Sequence, residues 1–167
     1  MKEKIKTKPS ANFPPEFEIA QGRITIRDGK IPHLEIFRHS KPAQELVETY
    51  HNRILSQKTR TVRLLGKKSS AKILHTLLGY EVQASYKRIQ CPDLPTARYL
   101  KLFSELGCRS VKLPYDPTLT AELIPELERI FKSIKHQIRE YFPQEPAMQT
   151  YVIRRLFDII RQKLRGA

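Results

Sequence analysis

Apolar and polar positions between residues 61 and 118 fall into blocks that predict strand, helix, strand, helix, strand and the start of a long helix. Thr61–Leu65 is a short apolar run bounded by turn residues, the pattern of a strand. Ala71, Ile73, Leu74, Leu77 and Leu78 share one side of a helix; Ser69 or Ser70 stands before it as N-cap, and Gly79 follows as a left-handed stop. Tyr80–Cys91 reads as one long strand. Asp93 caps a helix with Leu94, Ala97, Leu100, Phe103 and Leu106 inward, ended by Gly107, and Arg109–Leu113 is a third strand. A β-α-β-α-β order with short connections predicts parallel strands and right-handed crossovers. Leu65, Cys91 and Leu113 would then end adjacent strands, with the three strand-to-helix turns on one edge.

The flanks complete the expected architecture. Asp28-Gly29 lies between the apolar runs Arg23–Arg27 and Ile31–Phe37, which predicts a β-hairpin with a type I′ turn, and Pro32 puts its strand at an edge. Ser40 opens a helix to about Gln57, with Leu46, Val47, Tyr50, Ile54 and Leu55 at helical spacing. Asp116 and Pro117 start a long helix to about Phe142, stopped by Pro143, and a final helix spans Pro146–Arg165. The expected fold class is α/β: a small three-layer domain with a mostly parallel sheet, an N-terminal β-hairpin and C-terminal helices. Residues 1–15, polar, basic and proline-containing, are expected to form a disordered basic arm. Residues 16–167 are expected to form a single α/β domain with a sub-boundary near residue 58.

Charge changes this picture most. The 167 residues carry a formal net charge of +14. Residues 61–113 hold ten basic side chains against three acidic ones, half of that excess in a third of the chain. Such a surface attracts polyanions, so nucleic acid is the expected partner, with an acidic protein as the alternative. Two cysteines make no disulfide framework and no zinc spacing, no apolar run is long enough for a membrane span, and the N-terminus lacks the apolar core of a secretory signal. A reducing, cytoplasmic location follows as the default, and no motif asks for a cofactor.

The candidate chemistry sits in the turns. In Gly66-Lys67-Lys68-Ser69-Ser70, free N–H groups at a helix start, two lysines and two hydroxyls would form a phosphate cradle. It is no Walker A loop, since that pattern needs Gly where Thr61 stands and Ser or Thr where Lys68 stands. An ordinary capped helix start with solvated lysines explains the same residues. Lys72, and Lys87 and Arg88 on the following strand, extend the phosphate-binding set. Tyr80, Tyr86, Tyr99 and Tyr115 interleave with these cations and Arg98 and Lys101, a composition that can stack bases while holding phosphates.

Cys91 at a helix start would have a depressed thiol pKa and act as a nucleophile, or be a buried structural cysteine. Asp93 and Asp116, one strand apart, would either hold Mg²⁺ for phosphoryl transfer or nuclease chemistry, or simply cap their helices. The leading expectation is a non-enzymatic, basic nucleic-acid-binding or regulatory protein that contacts phosphates through Lys67, Lys68, Ser69, Ser70, Lys72, Lys87 and Arg88. The alternatives are a small metal-dependent phosphoryl-transfer enzyme or nuclease using Asp93 and Asp116, and an adaptor for an acidic protein.

Overall fold

The computed structural model describes residues 17–20, 23–26, 34–66 and 70–165. In chain order, β1 (Phe17–Ala20) and β2 (Arg23–Ile26) pair antiparallel; α1 (Leu34–Arg38) and α2 (Lys41–Thr49) follow, and α2 runs on into a π-helical turn, Tyr50–Ile54. Then come β3 (Thr59–Arg63), β4 (Ala71–Thr76), β5 (Gly79–Ala84), β6 (Lys87–Cys91), α3 (Leu94–Leu106), β7 (Ser110–Pro114), α4 (Pro117–Tyr141) and α5 (Pro146–Arg165).

All strand pairing among the described residues is antiparallel: β1 with β2, β3 with β7, and the meander β4-β5-β6. The mostly parallel three-layer α/β architecture is therefore corrected to an α+β arrangement, and the common edge of three strand-to-helix turns does not exist. The cause lies at residues 71–79. Ala71–Thr76 is a strand, not a helix, so described Ser70 has no helix to cap there. Its apolar spacing suits a helix, but the segment turns back at Leu77-Leu78 after six residues and pairs along its whole length with β5, from Thr76↔Gly79 to Ala71↔Ala84. Gly79 is the first residue of β5, at φ +117°, where an added Cβ would meet the Cys91 carbonyl oxygen at 3.0 Å. Nor is Tyr80–Cys91 one strand, because Ser85, at φ 55°, and Tyr86 turn the chain between β5 and β6. Removing the first crossover helix removes the reason for parallel strands.

The N-terminal hairpin is also corrected. β2 pairs with β1, Ala20 opposite Arg23, and Leu34–Arg38 is helical rather than a return strand. The Asp28-Gly29 turn and the arm at residues 1–15 lie outside the described residues.

The later helices follow their sequence signals. The Asp93 carboxylate accepts from the Thr96 N–H at 2.7 Å, and α3 ends at Gly107 in the left-handed region, φ 87°. The Asp116 carboxylate accepts from the Thr118 N–H at 2.8 Å, ahead of Pro117. α3 packs on α4 and on one face of the meander, and α4 packs on α2 and α5. Leu46, Ile54, Tyr99, Phe103, Leu127, Ile130 and Phe157 are among the fully buried side chains of this core. β3–β7 is tied in by two tyrosines. The Lys112 N–H donates to the Tyr50 hydroxyl at 3.0 Å, and the Tyr99 hydroxyl donates to the Lys112 carbonyl at 2.6 Å.

Candidate nucleic-acid interface

The meander has two unlike faces, because residues directly opposite across strands share a side. Ala71, Val82, Ala84 and Cys91 are buried on the side that α3 covers. On the other side Lys72, Leu74, Arg88 and Gln90 are exposed. That side carries the cross-strand rows Lys72–Gln83–Arg88 and Leu74–Glu81–Gln90. Adjacent strands lie about 4.8 Å apart, so Lys72 and Arg88 stand roughly 10 Å apart across the sheet, with the Gln83 amide between them. Glu81 reduces the positive field, its carboxylate 3.5 Å from Arg88 Nε, but the Arg88 side chain stays 64% exposed.

The same end of the sheet carries the Ser85-Tyr86 turn, where Tyr86 is 81% exposed. Lys87 follows it, half-buried on the α3 side of the sheet, and exposed Ser70 enters β4 beside Ala84, the partner of Ala71. The fold thus brings Ser70, Lys72, Lys87, Arg88 and Tyr86 to one end of an antiparallel sheet. The helix start that a phosphate cradle requires is absent, because Ser70 is followed by strand β4. Lys67, Lys68 and Ser69 lie outside the described residues. Gly66 holds φ 83°, donates its N–H to the Cys108 carbonyl at 3.1 Å, and leaves 2.7 Å between an added Cβ and Arg109 Cγ, so any side chain there would displace Arg109.

The other candidate residues separate. β6 and β7 belong to different sheets, so Asp93 and Asp116 do not end adjacent parallel strands, and both carboxylates serve as helix caps. That removes the geometric ground for the metal-dependent enzyme. Among the described residues no cluster of three His, Cys, Asp or Glu side chains is placed to hold a metal ion. Cys91 is fully buried, and burial, with the Asp93 charge second, pushes its thiol up to about 11. That is the opposite of an activated nucleophile. Tyr99 is buried in the core, while Tyr115 is exposed at the end of β7 with Lys58 Nζ 5.8 Å from its ring centre.

A second basic surface runs along α4. Arg98, Arg129, Lys132, Lys135, His136 and Arg139 line an open groove of about 790 Å³ along α4. Their spacing of three and four residues was the available signal. Much of this charge is already answered. Glu128 takes Arg98 through two hydrogen bonds, which hold its carboxyl below the ordinary range, Glu45 takes Arg129 at 2.8 Å, and Glu140 lies 3.1 Å from His136. The sheet face differs in carrying an exposed aromatic ring, Tyr86, beside its cations.

No helix among the described residues is long and apolar enough to cross a membrane. Compared with protein-family models, curated proteins and solved structures, the chain matches none.

Proposed function

We propose that this protein binds single-stranded nucleic acid without catalysing a reaction on it, through the Lys72–Arg88 end of β4-β5-β6. What carries the reading is the row Lys72–Gln83–Arg88 ending beside the exposed ring of Tyr86. Cations spaced across a flat sheet neutralise successive backbone phosphates, and an exposed ring stacks an unpaired base whatever its identity. Lys87 adds a cation at the same end of the sheet, on its α3 side. Little sequence preference follows, because phosphate contacts and stacking carry no base-edge code.

Fluorescence anisotropy with single-stranded DNA and RNA oligonucleotides at about 50 mM salt tests this. Lys72→Gln with Arg88→Gln removes two phosphate contacts and should weaken binding by roughly 30- to 100-fold at that salt. Arg154→Gln, an exposed charge on α5, should have little effect. Equal weakening by Arg154→Gln, or no binding to either nucleic acid, would refute the reading.

A further inference from the structure

A separate pocket of about 290 Å³ lies where the π-helical turn after α2, strand β7 and the end of α5 meet. Its polar groups are Tyr50, Ser110, Lys112, Arg161 and Arg165, over a floor that includes Cys108. These groups are almost wholly donors. Arg161 is held in place: one guanidinium nitrogen donates to the Leu106 carbonyl at 3.1 Å and another to the Asp158 carboxylate, which leaves further N–H groups of the fork unused. Lys112 Nζ donates to the Thr61 hydroxyl at 2.7 Å and keeps two more protons. Arg165 and the Ser110 hydroxyl have no partner among the described residues.

Tyr50 adds an independent observation. It is 5% exposed, and its hydroxyl accepts from the Lys112 N–H at 3.0 Å, yet its own proton finds no acceptor among the described residues. A buried hydroxyl normally donates, so this one lacks an oxygen to donate to. The local negative ends are already covered. Arg161 takes the last carbonyl of α3, and His51 Nε2 lies 2.9 Å from the Lys163 carbonyl at the end of α5. Burial pushes the Cys108 thiol up to about 11, so the floor stays uncharged at neutral pH. No carboxylate is among the lining residues; counting Asp158 against Lys112, Arg161 and Arg165 leaves two positive charges for a ligand.

We infer that this pocket binds a small tetrahedral oxyanion, inorganic phosphate or the phosphate of a small phosphomonoester, clamped by Arg161, Arg165 and Lys112 and met by the Tyr50 and Ser110 hydroxyls. The volume admits a phosphate with a small substituent and excludes a nucleic-acid strand, so the site is distinct from the sheet face and does not depend on it.

Calorimetric titration and thermal shift with inorganic phosphate and with phenyl phosphate, against chloride at matched ionic strength, test this. Saturable binding with a raised Tm is expected. Lys112→Gln and Arg165→Gln, both exposed side chains, should each weaken it by about tenfold or more, the consequence of losing a charge-assisted hydrogen bond. The Lys72→Gln, Arg88→Gln protein should bind phosphate as the wild type does, so loss of nucleic-acid binding and loss of phosphate binding are separately visible. Binding of both ligands assigns the site to the phosphate group alone, and binding of phenyl phosphate only assigns it to a phosphomonoester. No saturable response beyond chloride, or a response unchanged in Lys112→Gln and Arg165→Gln, would overturn the inference.

Discussion

Replacing Tyr99 by Phe deletes one oxygen and leaves a buried carbonyl without a donor. Tyr99 is fully buried, and its ring centre lies 4.8 Å from that of Phe103, so the ring has no reason to move. Its hydroxyl donates to the Lys112 carbonyl at 2.6 Å. β3 cannot take over that carbonyl. The backbone bonds Tyr115 N–H to Lys58 and Leu64 N–H to Arg109 fix an alternation in which Lys112, opposite Thr61, turns both its N–H and its C=O away from β3. Tyr50 and Tyr99 thus stand in for a third strand. Losing the bond and stranding the acceptor costs about 1–3 kcal/mol, which for a chain of this size lowers Tm by roughly 3–9 °C. Burial holds the Tyr99 hydroxyl well above its ordinary pKa, so it remains a donor into the alkaline range. Urea denaturation should show a lower midpoint with an unchanged slope, since the surface exposed on unfolding is the same. A loss below about 0.5 kcal/mol would refute the argument, because it would mean that the Lys112 carbonyl is not stranded.

Capping separates two residue types that the sequence presented alike. Asp93→Ala, which removes the acceptor for the Thr96 N–H, should cost roughly 0.5–2 kcal/mol in chemical denaturation, whereas Ser70→Ala, ahead of a strand, should stay within about 0.5 kcal/mol. Both thiols, raised to about 11 and buried, should react with a disulfide reagent at pH 8 only slowly in the native protein and at once in denaturant; rapid native labelling of Cys91 would reopen its reading as a nucleophile.

How far the sequence could be read depended on whether the deciding contact was local. Helices α3 and α4 were legible because Asp93, Gly107, Asp116 and Pro117 act within one turn of their own position. Residues 71–79 were not. Ala71, Ile73, Leu74, Leu77 and Leu78 satisfy a helical stripe, and what overrides it is pairing with Gly79–Ala84 and the cover provided by α3, neither of which periodicity reports. Cys91 was placed correctly at the end of a strand before a helix, but its thiol pKa follows from burial under tertiary packing. Lys72, Lys87 and Arg88 were singled out as cations on two elements, and the meander puts them at one end of one sheet for a reason unrelated to a helix start. The oxyanion pocket was invisible in sequence, because Tyr50, Lys112 and Arg161 meet only after chain segments far apart have folded together.

The central claim, that the Lys72–Arg88 end of β4-β5-β6 holds nucleic-acid phosphates, is tested most directly by the salt dependence of binding in the wild type and in Lys72→Gln, Arg88→Gln. If Lys67, Lys68, Lys72, Lys87 and Arg88 each neutralise one phosphate of a single strand, log K falls against log salt with a slope of about −3.5. Removing two contacts should bring that slope to about −2, with anisotropy titrations across roughly 50–300 mM salt giving both lines. Equal slopes for the two proteins would contradict the account and move the cationic contact elsewhere, with the α4 groove the next surface to test.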